Sequence, residues 1–471
     1  MKKANVFLAL LVLGVAVSAT AQVNFSNYVA LGDSLTAGYA SGGLAKFYQE
    51  HSYPAILARQ FGLANFQQPL VSDPGIAPVL KLQRLLDPMT HRLVPSLVPS
   101  GSTPGQPINA TYQGIYNNLG IPGSKTGDLL TKTGDITKLL TGNIDPNTIM
   151  YDIVLRFPKI PGTNIDGTAV AQAIAARPTF ITVWIGNNDV LGAALAAVPI
   201  DGVTMTPVAA FQQQYHTLLA TLHAQLPAAK IVVANIPNVT AIPFVTTVKP
   251  YVFTPQGQKV NLLADTGPLS DNDYVTLQGS SLIAQGYGIP GTGKVLPDGG
   301  IVGGQFVPGV VLRAAEAAAI NARIRELNAI IAQEAAAIGA PVLDVNTIFN
   351  DIVAHGYMLG GVKLSAAFLT GGIFSYDGVH PQRLGYAIVA NEFVKLINTS
   401  FGAKVPQVNL QKYLEGTETT TTVAAASVQV APGAFDPTIQ LFVPQIQPEK
   451  RPALRRRVSR DLPGEGRPWR P

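Results

Sequence analysis

Short apolar runs rich in β-branched residues alternate with helical periods along most of this chain, and that alternation restricts the fold more than any other feature. Asn27–Leu31 (NYVAL), Thr179–Ile185 (TFITVWI), Lys230–Ile236 (KIVVANI) and Pro341–Val345 (PVLDV) have the length and composition of strands buried on both faces. Between and after them come helices. Phe211, Tyr215, Leu218 and Leu222 recur at helical spacing, as do Ile320, Ile324, Leu327 and Ile331 in a segment that Gly339 and Pro341 end. Tyr386, Val389, Phe393 and Leu396 line a last helix. Such a pattern implies a parallel sheet with helices on both faces, and a ligand site beyond the carboxyl ends of its strands.

Three stretches break the alternation and read as insertions, at about 63–113, 140–175 and 240–310. The ends differ from the body. Lys2 and Lys3, the apolar run Val6–Val17 and Ala19-Thr20-Ala21 have the three parts of a cleavable secretory signal, expected over 1–21. That run is shorter than the ~20 residues a spanning helix needs. The mature protein is therefore expected in the periplasm, at the cell surface or secreted. Residues 403–448 form an extension with a Thr-rich linker (Thr417 to Thr422), and 449–471 a tail with eight basic and three acidic residues. The tail has two readings: a disordered, soluble terminus, or a weak contact with a membrane surface or anionic polymer. Residues 22–448 carry 23 basic and 25 acidic groups, so the formal charge of +5 belongs to the ends and gives no sign of a nucleic-acid surface. The absence of cysteine excludes disulfides, thiolate metal sites and a cysteine nucleophile.

Four short motifs stand where strands should end. Gly32-Asp33-Ser34-Leu35 closes the first strand, and a serine on a tight strand-to-helix turn has its hydroxyl and N–H exposed to one crevice. Asn118-Leu119-Gly120-Ile121-Pro122-Gly123 follows a short run at Gly114–Tyr116, the expected second strand; its glycines let backbone N–H groups approach a ligand. Gly186-Asn187-Asn188-Asp189 ends the strand that carries Trp184, where an Asn amide either donates to developing negative charge or caps a helix. Asp377-Gly378-Val379-His380 precedes the last helix, and its spacing lets the carboxylate hold one imidazole nitrogen and leave the other as base. Acid-x-x-His pairs are common by chance, so the fourth motif gains weight only from the other three.

In that order the set resembles the GDSL lipase/esterase family, the SGNH hydrolases, from about Asn27 to Gly402. The segments NNLGIPGSKTGDLL, WIGNNDVLG, ANIPNVTAIPFVTTV and FSYDGVHPQRLGYAIVANEF carry the likeness to exported bacterial members with enlarged loops. No Gly-x-Ser-x-Gly occurs, which argues against the α/β-hydrolases. The resemblance implies a three-layer α/β/α sandwich of flavodoxin-like type with a five-stranded parallel sheet over 22–402, and insertions forming a cap. It implies Ser34 as nucleophile, His380 as general base and Asp377 orienting it. The oxyanion hole would comprise the N–H groups of Ser34 and Gly123 and the amide of Asn188. No metal or organic cofactor is implied, and the partner is an ester substrate. Asp33 and Asp189 are expected to hold the turns that present Ser34 and Asn188.

The apolar runs Ile76–Leu80, Leu93–Val98 and Val302–Val311 suit either an acyl-binding cap or extra core. A carboxylesterase or lipase is the expected activity. A polysaccharide O-acetyl esterase and an exported binding protein with an idle site are the alternatives. Gly288–Lys294 matches part of a phosphate loop, but Val295 stands where the metal-binding hydroxyl should be. Asp271-Asn272-Asp273 reads as a turn rather than a calcium loop. His216 and His223 flank an apolar stripe, and His51, His91 and His355 show no sequence partner.

Overall fold

The computed structural model describes residues 23–86 and 93–414. The expected signal segment, His91, the Thr-rich linker and the basic tail lie outside the described residues. The four apolar runs become strands β1 (Tyr28–Gly32), β3 (Phe180–Trp184), β4 (Lys230–Ala234) and β5 (Val342–Leu343) of one parallel sheet, which β2 (Asn118–Gly120) completes. The strand order is β5-β4-β3-β1-β2, a doubly wound topology whose crossover switches direction beside β1. Tyr28 pairs with Phe180 and Gly32 with Trp184, while Gly32 also stands opposite Gly120. The carboxyl ends of β1, β2 and β3 therefore finish level.

The second strand lies four residues later than the expected Gly114–Tyr116. The Arg156 guanidinium sits 3.7 Å from the centroid of the Tyr116 ring and donates to the Gly114 carbonyl, which ties that run to the 140–175 insertion. Asn118 instead donates to the Thr36 carbonyl and accepts from the Gly120 N–H, which sets the three residues after Asn117 in register with β1.

Alternate residues of the strands feed two cores, as the two-residue period of a strand requires. Val29, Leu31, Ile181, Val183, Ile231 and Val233 pack under α3 (Ala169–Ala176), α5 (Val208–Gln225) and α6 (Ala314–Ala337). Tyr28, Ala30, Phe180, Trp184, Val232 and Ala234 pack under α2 (Tyr53–Gln60) and α8 (Arg383–Phe401). Burial of each large apolar side chain contributes about 1.5–3 kcal/mol, so these two layers fix where the strand ends stand. The remaining labelled helices are α1 (Ser34–Ala37) and α4 (Asn188–Leu195), which start at the ends of β1 and β3, and α7 (Val345–His355) after β5.

The insertions have structure of their own. Leu80–Leu86 and Leu93–Pro99 form an antiparallel hairpin, and the 240–310 segment folds as two- and three-residue antiparallel pairs around Leu262, Leu269, Val275, Leu282, Leu296 and Val310. Ile76, Leu80 and Leu97 belong to the main core and Val310 and Val311 to the small one, while Phe306 in the third run is exposed. The 240–310 insertion reaches the Asp377 loop, where the Phe244 N–H donates to the Gly378 carbonyl.

Candidate active site

Ser34 opens α1 directly beyond β1, and Asp33 caps that helix by accepting from the Leu35 N–H at 3.0 Å. The turn is tight because β1, α1 and β3 converge there. A Cβ on Gly32 would lie 2.1 Å from Thr36 Oγ1 and 2.3 Å from the Trp184 carbonyl, so only glycine fits.

His380 approaches from the loop before α8. Its Nε2 lies 2.9 Å from Ser34 Oγ and its Nδ1 lies 2.9 Å from Asp377 Oδ2. The Asp377 carboxylate also accepts from the N–H groups of Val379 and His380, from Ser375 Oγ and from the Gly42 N–H. Burial pushes the Asp377 pKa up, but the adjacent imidazole and these donors outweigh burial and hold it below the usual carboxylate value. An ionised carboxylate on Nδ1 fixes that nitrogen as the N–H donor, and Nε2 is then a lone pair facing the Ser34 hydroxyl. The Tyr39 ring lies tilted over the imidazole with centroids 4.9 Å apart.

On the other side of Ser34 the loops after β2 and β3 are tied together. The Gly32 carbonyl accepts from the Ile121 N–H, and Asn188 Nδ2 donates to the Ser124 carbonyl at 2.9 Å. The Asn188 amide carries a second N–H. Gly123 has φ +81°, which reverses the chain just before Ser124. Among the described residues, no loop or cap carbonyl takes up the N–H of Ser34 or of Gly123. The structure thus brings together the ends of the strands bearing Ser34, Gly123 and Asn188. Such an arrangement offers a hydroxyl with a base in contact and a group of N–H donors suited to an oxyanion.

Two buried carboxylates stand behind these loops. Asp33 is pushed up to about 6 by burial, against the Asn187 Nδ2 bond at 2.8 Å, the Leu35 N–H and the imidazole of His380. Asp189 is also raised by burial, against donors from Thr206 and Thr126 that bind the β3 loop to the β2 loop.

Sequence spacing gave no sign of the loop 39–42. Ser41, at φ +52°, donates its N–H to Ser375 Oγ at 2.8 Å and accepts from the Tyr376 N–H, so this loop and Gly42 clamp the Asp377 segment. Neither the tightness of the α1 end nor Ser375 two residues before Asp377 identifies that partner without the fold. Other signals resolve as structure. Asp273 accepts from the Ala314 N–H at the start of α6, and Gly288–Lys294 is a turn closed by the Gly288 N–H on the Lys294 carbonyl. His355 has a partner after all, Asp351 one helical turn back at 2.8 Å, and His216 pairs with Glu334. Among the described residues no cluster of three His or acidic groups is placed to hold a metal ion, and no helix is long and apolar enough to cross a membrane.

A family model described as GDSL-like lipase/acylhydrolase matches residues 28–393. No curated protein matches the chain. Solved structures similar to it include the lipase/acylhydrolase from Enterococcus faecalis, 14% identical, covering 81% of this chain and 100% of that one with a TM-score of 0.31. The extracellular lipase from Streptomyces rimosus is 16% identical, with 80% and 99% covered and a TM-score of 0.30. A catalytic mutant of an acetylxylan esterase from Geobacillus stearothermophilus is 12% identical, with 82% and 100% covered and a TM-score of 0.34.

Proposed function

The chain belongs to the GDSL-like lipase/acylhydrolase family and is a serine-type carboxylic ester hydrolase, and from that premise we propose that its acyl-enzyme forms on Ser34. The observation that carries this assignment is the contact series from Ser34 Oγ to His380 Nε2 and from His380 Nδ1 to Asp377, each 2.9 Å. Ser34 Oγ attacks the ester carbonyl while its proton passes to Nε2. The carbonyl oxygen becomes an oxyanion held by the N–H groups of Ser34 and Gly123 and the Asn188 amide. Collapse breaks the C–O bond to the alcohol, which leaves with the proton from Nε2. Water then attacks the acyl-enzyme, gives its proton to Nε2, and the acid departs as Ser34 Oγ is reprotonated. Asp377 holds the ring and balances the imidazolium without taking a proton. No step requires a metal or organic cofactor.

The substrate is read as an ester with an acyl chain. The N-terminal segment supports export: Lys2, Lys3 and the run Val6–Val17 precede Ala19-Thr20-Ala21. The mature chain isolated from the producing cell should then begin at Gln22, which its intact mass reports. Hydrolysis of p-nitrophenyl esters from acetyl to palmitoyl, with Ser34→Ala as control, tests the activity and the residue together. Loss of turnover and of organophosphonate labelling in Ser34→Ala is the expected result. Full turnover by that variant overturns the assignment.

A further inference from the structure

Tyr39 stands two residues beyond α1 and is only 1% exposed. It reaches each of the three groups that the reaction uses, directly or through one neighbour. Its N–H donates to the Ser34 carbonyl at 3.0 Å, and its ring meets the His380 imidazole with centroids 4.9 Å apart and planes inclined at 54°. Its hydroxyl donates to the Gly42 carbonyl at 2.5 Å. The N–H of the same Gly42 donates to Asp377 Oδ2, the oxygen that faces His380 Nδ1. The residue is anchored from a further side, because the Tyr386 hydroxyl of α8 donates to the Tyr39 carbonyl at 2.7 Å. Burial, and after it the charge of Asp377, push the Tyr39 phenol well above the ordinary tyrosine pKa, so the hydroxyl remains a donor.

We propose that Tyr39 is a positioning residue whose ring holds the His380 imidazole in place through the acyl-enzyme stage, when the Ser34 hydroxyl no longer does so. The inference rests on the reading of Ser34 as the acylated residue. In the free enzyme two hydrogen bonds orient the imidazole, Nδ1 on Asp377 and Nε2 on the Ser34 hydroxyl. Acylation removes the second. The alcohol has left with the proton from Nε2, Oγ has become an ester oxygen without a hydrogen, and Nε2 carries a bare lone pair. The imidazole is then free to turn about its remaining contact with Asp377 unless something rigid lies against it. Tyr39 supplies that wall: a buried aromatic plane fixed by hydrogen bonds at its N–H, its carbonyl and its hydroxyl. The separation and tilt of the two rings lie in the range of favourable aromatic pairs. Nε2 therefore keeps its aim while water enters, and deacylation depends on Tyr39 more than acylation does.

Rapid-mixing and steady-state kinetics on p-nitrophenyl esters separate the two steps, with rates expressed per phosphonate-labelled site so that unfolded molecules do not count. Tyr39→Leu removes the plane. Its kcat should fall at least about tenfold, while kcat/KM, which reports acylation, falls no more than about threefold. The split should show as a burst of about one p-nitrophenol per labelled site before a slow steady rate. Tyr39→Phe keeps the plane and loses only the Gly42 contact, so its kcat should stay within about threefold of the parent's. Where Tyr39→Leu does not fold, Tyr39→Met takes its place, since a flexible thioether fills the space without forming a wall. An equal fall in kcat and kcat/KM overturns the proposal, and so does a kcat within about twofold of the parent's in the Leu or Met variant. A Tyr39→Phe variant no faster than the variant without a ring also overturns it. A parent that is neither labelled nor active on any ester removes the Ser34 reading and this inference with it. An active, labelled parent whose variants show no split removes the role of Tyr39 alone.

Discussion

Asp377 accepts five hydrogen bonds, and the donor on Gly42 comes from 335 residues away in the sequence. An amide at that position presents its own N–H groups to donors. In Asp377→Asn the imidazole then gives up the tautomer that leaves Nε2 free, and kcat should fall about 10³–10⁴-fold with little change in KM; steady-state kinetics on an acetyl ester checks it. Ser375→Ala acts one step further out. It removes a donor from Asp377 and strands the buried Ser41 N–H, at about 1–3 kcal/mol of stability, which chemical denaturation measures. Asp33 makes a pH prediction of opposite sign to Asp377. Its folded value of about 6 lies above that of an unfolded Asp. Between about pH 4 and 6 the native protein therefore keeps a proton that the unfolded chain has lost, and stability falls as pH rises, by on the order of 2–3 kcal/mol in all. Asp377, held low, contributes stability that is lost only as pH falls below the usual carboxylate range. The buried Asn187 Oδ1 has no partner, and an inverted Asn187 amide would accept from a protonated Asp33. Asp33→Asn should accordingly flatten the pH 4–6 slope of the parent's melting temperature. An identical slope in the variant would remove Asp33 as its source.

What was legible at the level of elements depended on how local the cause is. β1, β3 and β4 were readable because strands buried on both faces must be apolar throughout, and their β-branched runs say so without reference to the rest of the chain. The helical stripes of α5, α6 and α8 were readable for the same reason. β2 was misplaced because it has only three residues, Asn118, Leu119 and Gly120, with no β-branched one among them; its register comes from the Asn118 side chain on Thr36, a contact 82 residues distant. Three of the four motifs around the site sit at strand ends and the fourth in the loop before α8, and all four could be found locally. The clamp of Ser41 and Gly42 on the Asp377 segment could not, since nothing in the spacing of either loop refers to the other. The turn after β1 also makes an elemental prediction. In Gly32→Ala the new methyl meets the Trp184 carbonyl, which is fixed by the β1–β3 pairing and cannot withdraw. Overpacking of this kind costs about 1–3 kcal/mol and should displace Ser34 as β1 yields. The variant should melt lower and, while still folded, react slowly with phosphonate. Parental labelling in a destabilised Gly32→Ala would mean that the strain is absorbed away from α1.

Across the whole molecule, the 240–310 insertion is tied to the hydrolase body at the start of α6. Arg313 bridges Asp298, which is fully buried, to Asp273, and donates also to the carbonyls of Gly267 and Pro268 and to Thr266 Oγ1. The small core of that insertion is thereby joined to a helix of the main one. Its other end is joined to the site, because the Leu277 N–H donates to the Phe244 carbonyl and the Phe244 N–H to Gly378, next to Asp377. Removal of a guanidinium that serves two carboxylates leaves a buried charge uncompensated, at about 3–5 kcal/mol. Arg313→Met should therefore release the insertion while the sheet persists: far-ultraviolet circular dichroism stays close to the parent's, protease cuts within 254–294, and labelling of Ser34 slows because the Asp377 loop has lost a support. Arg313→Lys restores the charge without the planar fork and should fall between the two. If Arg313→Met resists protease as the parent does, the insertion is held by its apolar core alone, and the ionic network has no part in linking it to the active site.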